Sequence, residues 1–227
     1  MGLTGLTPSN AKADAVHARG ARDGLRIGLM GGSFDPVHSA HVALATSALA
    51  HLQLDEVRWI PVGQAWQKAR RLAPAADRIA MVQAAIAHEP RFVLDAIEVR
   101  REGPSFTRDT VSALQAARAD VSEWVLIIGL DQYLNLPTWQ GWQALLASVT
   151  LAVATREPFE PEPPEALRRH PHRMVHLPMA PQAVSSTEVR ERLCGGESPE
   201  SLAPELIPVG VARYIANHQL YAPGAPR

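Results

Sequence analysis

The chain has 227 residues, 46% of them hydrophobic and 20% charged, which is enough for one sizeable core or for one core with a small appendage. A formal net charge of −1 excludes recruitment of nucleic acid or anionic membranes by an overall field, so any phosphate binding must come from local groups. The single cysteine, Cys194, excludes an intrachain disulfide framework and fits a reducing compartment.

Residues 1–24 mix glycine, alanine, serine and threonine with scattered charges and follow no periodicity. We therefore predict a flexible N-terminal tail over 1–24 and a single domain over 25–227. The tail holds no continuous apolar stretch typical of a secretory signal, and apolar runs such as Val125–Ile128 are too short to span a bilayer. We expect a cytoplasmic protein that has neither a membrane nor a nucleic acid as its partner.

From Arg26 onward, short apolar runs alternate with segments in which apolar residues recur at helical spacing. Strands are predicted at Arg26–Met30, Glu56–Ile60, Glu123–Gly129, Thr150–Ala154 and Met174–Leu177. Helices are predicted at Ala40–Leu54, Ala75–Ala87, Thr107–Arg118, Thr187–Leu193 and Pro204–His218. Extended structure is predicted for Phe92–Arg100 and a surface loop for the proline-rich Pro158–Pro171. The alternation predicts an α/β fold, a doubly wound parallel sheet with a small helical C-terminal part.

The first motif follows the first predicted strand and reads Gly31-Gly32-Ser33-Phe34-Asp35-Pro36-Val37-His38-Ser39-Ala40-His41. Two glycines allow a tight turn and a close approach of a ligand, and the start of the next helix offers unpaired N–H groups to an anion. His38 and His41 lie three residues apart, so on a helical turn they would occupy neighbouring positions of one face, from which both imidazoles can donate to phosphate oxygens. A metal pair is the alternative, but no further ligands follow at a zinc-like spacing. The joint pattern predicts phosphate binding at this helix start.

The second motif is Ser185-Ser186-Thr187-Glu188-Val189-Arg190, just ahead of a predicted helix. Ser186 or Thr187 is predicted to cap that helix, and alone the pattern indicates no more than a capped helix. Hydroxyl groups, helix N-terminal amides and the Arg190 guanidinium also make an anion site, which the first motif favours.

Together these motifs resemble the nucleotidylyltransferase superfamily, whose members clamp a triphosphate between two such stretches. The middle of the chain is similar to nicotinate-nucleotide adenylyltransferases in its stretches Pro104–Thr110 (PSFTRDT), Ile128–Gln132 (IGLDQ) and Leu136–Trp139 (LPTW). The C-terminal residues Arg190–Leu193, Val211–Ile215 and Leu220–Tyr221 resemble the same family, and the resemblance extends from Arg26 to Tyr221. It implies a Rossmann-like nucleotidyltransferase fold.

The resemblance also implies roles for individual residues. The catalytic group would comprise His38, His41, Lys68 and Arg190. The ATP-binding group would comprise Gly31, Gly32, Ser33, Phe34, Gly129, Asp131, Ser186 and Thr187. Thr107 would lie beside the nicotinate carboxylate, and Trp139 would stack on the pyridine ring. Trp142, three residues further on, is predicted to belong to the core.

The implied reaction joins ATP and nicotinate mononucleotide into deamido-NAD and pyrophosphate. Mg²⁺ would accompany ATP with few protein ligands, and the sequence offers no metal site of its own. This chain departs from the family pattern at three places. Ser33 replaces the commoner threonine and keeps its hydroxyl group. Ala40 replaces a usual glycine, which suits a first helical turn, and Gln64–Lys68 replaces a stretch that usually carries a histidine, leaving Lys68 as its basic group.

Other functions share part of this pattern. A pantetheine-phosphate adenylyltransferase would have both phosphate motifs but should lack the Trp139 region. A class I aminoacyl-tRNA synthetase would need a longer chain and a lysine-rich second motif. An inactive nucleotide sensor is the alternative outside the enzymes, and intact His38, His41 and Arg190 argue against it. The sequence leaves open whether the chain forms a homo-oligomer.

Overall fold

A computed structural model of the chain describes residues 24–64, 72–155, 162–179 and 184–223. Six strands form one sheet: β1 Leu25–Gly32, β2 Glu56–Pro61, β3 Phe92–Leu94, β4 Val121–Gly129, β5 Thr150–Thr155 and β6 Met174–Pro178. Their order is β3-β2-β1-β4-β5-β6, and every neighbouring pair is parallel. The predicted doubly wound parallel sheet is therefore confirmed, and this strand order is that of the dinucleotide-binding α/β folds.

Helices cover both faces of the sheet. In chain order they are α1 Ser39–His51, α2 Ala75–Ile86, α3 Ile97–Arg100, α4 Thr107–Ala117, α5 Leu130–Asn135, α6 Trp142–Ser148, α7 Glu165–Arg168, α8 Ser186–Cys194 and α9 Val209–His218, with 3₁₀ turns at Leu136–Thr138 and Pro199–Leu202. Side chains of α1, α2, α8 and α9 pack into one apolar core, and those of α4, α5, α6 and α7 pack into a second.

The central strand β4 shows why both cores are needed. Val125 and Ile127 belong to the first core, whereas Leu126 and Ile128 belong to the second. Successive side chains of a strand point to opposite faces, so a run of apolar residues fits a strand that is covered on both sides. This pattern allowed the strand to be predicted from the sequence.

Five segments differ from the sequence-based expectations. Phe92–Arg100 is not extended throughout, because α3 occupies its second half. Within the predicted loop Pro158–Pro171, residues 162–171 contain α7, whose Leu167 is only 1% exposed and anchors it to the second core. The last helix begins at Val209 rather than Pro204, and α5 and α6 were not predicted. The predicted tail lies outside the described residues except for Gly24. In the part of the chain that the structure describes, no helix is long and apolar enough to cross a membrane.

The sheet topology also fixes where a ligand can bind. The chain leaves β1 toward β2 and β3 on one side, and β4 continues toward β5 and β6 on the other. The connections after β1 and β4 therefore diverge and open a crevice at the carboxyl ends of these two strands, which is the usual ligand position in such sheets. Both predicted motifs and the β4–α5 junction are expected to meet there.

Candidate active site

A cleft of about 990 Å³ lies at this edge of the sheet, within the size range of small-molecule sites. It brings together twelve of the fourteen residues predicted to act on ligands: Gly31, Gly32, Ser33, His38, His41, Thr107, Gly129, Asp131, Trp139, Ser186, Thr187 and Arg190. Phe34 does not line the cleft, since its ring is fully buried between Trp59 and His41. Lys68 lies outside the described residues.

The two histidines stand at the start of α1. His38 is the residue immediately before the helix and His41 lies in its first turn, so they do not share a helical face as the spacing suggested. Their rings stack instead, with centroids 3.7 Å apart and planes at 29°. Ala40, which replaces the usual glycine, is simply the second residue of α1, where alanine is favourable.

Both histidines are neutral near pH 7. Burial lowers the pKa of His38 to about 4. Burial also lowers the pKa of His41 well below its ordinary value, and repulsion between the two rings when both are protonated adds to this effect. The backbone N–H of His38 donates to Nδ1 of His41 at 3.1 Å. A neutral ring carries one proton, so His41 keeps it on Nε2 and offers that N–H as a hydrogen-bond donor.

The depressed pKa of His38 predicts a loss of stability in acid. The unfolded chain binds a proton near pH 6.5 whereas the folded chain binds it near pH 4, so stability falls as pH drops between these values. Between pH 7.5 and pH 5, the free energy of unfolding should fall by about 2 kcal/mol on account of His38. Urea unfolding at both pH values measures this: His38→Gln should lose that much less than the unmodified chain. Replacing the exposed His51 serves as the control, and equal acid losses for all three proteins would contradict the assignment.

Helix α8 presents the second motif to the same cleft. Its N-cap is Ser185, whose Oγ accepts from the backbone N–H of Glu188 at 3.2 Å, so the prediction of Ser186 or Thr187 as the cap was wrong. Ser186 and Thr187 both line the cleft, as does Ser185. Ser186 Oγ donates to the carbonyl of Pro36 at 2.9 Å, and Arg190 Nη1 donates to that of Asp35 at 2.6 Å. The second motif thus ties α8 to the first motif.

The junction of β4 and α5 lines the cleft beside the starts of α1 and α8. Asp131 lies in the first turn of α5, with its carboxylate exposed at the cleft. A Cβ added to Gly129 would approach the Oδ1 atom of Asp131 to 2.7 Å, so a larger residue at this position would displace the carboxylate from the strand end. Gln132 Nε2 donates to Asp131 Oδ2 at 3.1 Å and helps to orient it.

The far end of the cleft is formed by the start of α4 and by Trp139. Thr107 is the first residue of α4, as predicted, so its backbone amide belongs to the turn that lacks intrahelical partners. Trp139 is partly buried, and its indole Nε1 is shielded from solvent without a hydrogen-bond partner among the described residues. Trp142 is partly buried, packs against the second core and does not line the cleft.

A buried carboxyl group supports this far end, and the sequence analysis did not single it out. Glu98 of α3 is 8% exposed and lines the cleft, and burial raises its pKa. Its Oε1 accepts from Thr110 Oγ1 at 2.8 Å, and Thr110 accepts from Arg101 at 3.0 Å. The carbonyl of Glu98 lies where a Cβ of Gly63 would be, 2.1 Å away, so only glycine allows the segment after β2 to pack here.

Arg78 was also missed. This guanidinium is 2% exposed and donates to the carbonyls of Ser33, Val62 and Ala73 at 2.8–3.0 Å. Burial lowers its pKa, and the nearby Asp35 carboxylate partly offsets that effect. A signal was present in the sequence, since Arg78 precedes Met81 and Val82 by three and four residues and therefore shares the buried stripe of α2.

Comparison with known proteins places this site in a family. A profile of the cytidylyltransferase-like family matches residues 29–192. A probable nicotinate-nucleotide adenylyltransferase of Methylibium petroleiphilum is 52% identical over 198 residues, which make up 87% of this chain and 93% of the relative. Another of Bordetella avium is 47% identical over 87% of this chain and 98% of that relative. Among solved structures, Plasmodium falciparum nicotinic acid mononucleotide adenylyltransferase complexed with NaAD shares the fold, with a TM-score of 0.71 at 19% identity over 87% of this chain and 97% of its own. The chain therefore belongs to the cytidylyltransferase-like family and, within it, to the nicotinate-nucleotide adenylyltransferases.

Proposed function

We propose that this chain transfers the adenylyl group of ATP to nicotinate mononucleotide, giving deamido-NAD and pyrophosphate in NAD biosynthesis. The observation that carries the proposal is one continuous cleft. The stacked pair His38–His41 and the start of α8 line it together with the start of α4 and Trp139. Such a cleft can hold the two nucleotides end to end, and the names of the relatives point to the same pair of substrates.

At the ATP end, the groups are suited to a phosphate chain. The backbone of Gly31, Gly32 and Ser33 allows close approach, and His38 and His41 act as neutral N–H donors to phosphate oxygens. Ser186, Thr187 and Arg190 bind the β and γ phosphates at the start of α8, where the helix dipole favours negative charge. Asp131 and Gly129 face the adenosine.

At the other end, the mononucleotide is recognised by its ring and its carboxylate. Trp139 supplies a flat face for the pyridine ring. The first amides of α4, beginning at Thr107, donate to the carboxylate, and Glu98 holds this turn through Thr110. The two carboxylate oxygens of nicotinate can each accept from one of these N–H donors. The neutral amide group of nicotinamide has only one such oxygen and cannot make both bonds.

The chemistry is an exchange of bonds at the α phosphorus. A phosphate oxygen of the mononucleotide forms a new P–O bond there, and the bond to the bridging oxygen of the β phosphate breaks, releasing pyrophosphate. The attacking oxygen is already an anion, so no protein base is required and no covalent enzyme intermediate is formed. The protein aligns the two phosphates and neutralises the charge that accumulates on the non-bridging oxygens.

The metal enters as part of the substrate. The described residues hold no group of three or more histidine, cysteine, aspartate or glutamate side chains that could enclose a metal ion. Mg²⁺ is therefore proposed to arrive bound to ATP, held by phosphate oxygens and water, as this ion commonly is at nucleotide sites. We place the reaction in the cytoplasm, and assembly into a homo-oligomer stays an open prediction.

The proposed reaction is tested by measuring pyrophosphate release with MgATP and each candidate acceptor. We expect turnover with nicotinate mononucleotide, and formation of deamido-NAD in equal amount identifies the product. Turnover only with pantetheine phosphate would replace the acceptor while keeping the adenylyl transfer. Binding of ATP without release of pyrophosphate for any acceptor would contradict the enzyme assignment and favour a nucleotide sensor.

A further inference from the structure

The loop between β1 and α1, residues 33–38, is held in place by side chains from distant parts of the chain. Arg78 of α2 donates to the Ser33 carbonyl at 3.0 Å. Helix α8 supplies the two bonds described above, from Arg190 to the Asp35 carbonyl and from Ser186 to that of Pro36. A loop whose carbonyls are bound by side chains of other elements keeps its shape only while those elements stay docked.

One further bond comes from beyond α9, close to the C-terminus. The hydroxyl of Tyr221 donates to Oδ1 of Asp35 at 2.6 Å, across 186 positions of sequence. Asp35 is fully buried, and the same Oδ1 accepts the backbone N–H of Ala73 at 3.3 Å. Hydrogen bonds to a buried carboxylate are among the stronger ones, because the alternative is a charged oxygen left without a donor in a dry site.

The backbone next to Asp35 makes this bond more consequential. Phe34 has φ of 46°, in the left-handed region that costs a bulky residue energy, so the surrounding contacts must hold it there. Its ring packs edge-on against His41, with centroids 5.1 Å apart. A shift of Asp35 would therefore be passed on both to the loop and to a histidine that lines the cleft.

We propose that Tyr221 is a positioning residue for ATP: its hydroxyl anchors Asp35 and thereby fixes the loop that places His38 and His41. Tyr221 does not line the cleft, so it acts through Asp35 rather than on the ligand. The inference rests on the proposed function only for the identity of the phosphate-bearing ligand. It assigns to the C-terminal segment a part in shaping the active site, beyond its packing against the first core.

The chain contains a matched control for this bond. Tyr214 of α9 also donates its hydroxyl to an aspartate, Oδ1 of Asp77 in α2, at 2.9 Å. Both tyrosines thus join the C-terminal part to an earlier element through a bond of the same chemistry. Neither Tyr214 nor Asp77 lines the cleft or belongs to the β1–α1 loop. Tyr214→Phe therefore removes a hydrogen bond of the same kind, from a tyrosine hydroxyl to an aspartate oxygen, without touching the ATP site.

The experiment compares Tyr221→Phe, Tyr214→Phe and the unmodified full chain. Titration with MgATP alone, without a mononucleotide, should show the Kd of Tyr221→Phe raised about fivefold to tenfold, the change expected for a lost bond to a charged group. The Kd of Tyr214→Phe should stay within about twofold of the unmodified value. Hydrogen exchange adds a local readout: amides of residues 33–38 should exchange faster in Tyr221→Phe than in either of the other proteins.

Two results would overturn the proposal. If Tyr221→Phe and Tyr214→Phe changed the Kd for MgATP equally, the Tyr221 bond would contribute only to general stability. Unchanged hydrogen exchange of residues 33–38 in Tyr221→Phe would lead to the same conclusion. Because neither measurement uses nicotinate mononucleotide, failure of the proposed acceptor would leave the role of Tyr221 intact, and the reverse also holds.

Discussion

Replacing His41 by alanine should lower kcat by about a hundredfold or more, since the variant lacks an N–H donor that stabilises charge on the reacting phosphate. His41 is neutral and keeps its proton on Nε2, so it enters the reaction as a donor already in the required form. The same substitution removes the acceptor for the His38 backbone N–H at the start of α1. We therefore expect a lower melting temperature as well, and a second variant is needed to separate the two effects.

His41→Gln provides that separation. His41 is the third residue of α1, the position from which a glutamine side chain can accept the N–H of the residue before the helix. This variant should melt at the same temperature as the unmodified enzyme, whereas its kcat should stay at least about tenfold lower. His51→Ala, at the exposed end of the same helix, should change neither quantity. Near-normal turnover of His41→Ala in steady-state kinetics would remove His41 from the catalytic group.

Nicotinate mononucleotide should be preferred over nicotinamide mononucleotide by about a thousandfold or more in kcat/KM. The two substrates differ only by a carboxylate against an amide. Backbone N–H groups at the start of α4 pair with both carboxylate oxygens, whereas the amide would turn its own NH₂ donors toward them and leave groups unpaired. Kinetics with both mononucleotides measure the ratio, and equal kcat/KM values would refute the nicotinate preference while leaving adenylyl transfer standing.

Two pairs of variants locate this discrimination. Proline fits the first position of a helix, and Phe106 already has the φ of −112° and ψ of 129° that suit a residue before proline. Thr107→Pro therefore deletes one amide donor and should narrow the preference by about tenfold, whereas Thr107→Ala should keep it. Trp139→Ala should weaken both substrates together, because stacking does not distinguish them. Trp142→Ala, which changes the core outside the cleft, should lower stability without changing the preference.

Much of the fold could be predicted because its signals are local. β4 consists of apolar residues on both faces, and the alternation of short strands with helical stretches is enough to favour a doubly wound parallel sheet. The short helices α3, α5 and α7 escaped prediction because one turn or two shows no periodicity. Helix α3 exists because Asp95 accepts the N–H of Ile97 at 3.0 Å while Arg58 of β2 binds the same carboxylate.

For the candidate site too, some features could be predicted from the sequence and others depend on the tertiary structure. The sequence by itself determined which residues could handle phosphate, since glycines, two histidines and an arginine with neighbouring hydroxyls carry their chemistry in their side chains and spacing. Only the tertiary structure decided that Ser185 rather than Ser186 caps α8, because three adjacent hydroxyls are equivalent until the chain turns. It also decided the partners of Arg78 and Tyr221, whose bonds reach across as many as 186 positions to one loop. A periodic pattern indicates which face of a helix or strand is buried. It does not indicate which distant carbonyl or carboxylate a buried polar side chain will bind.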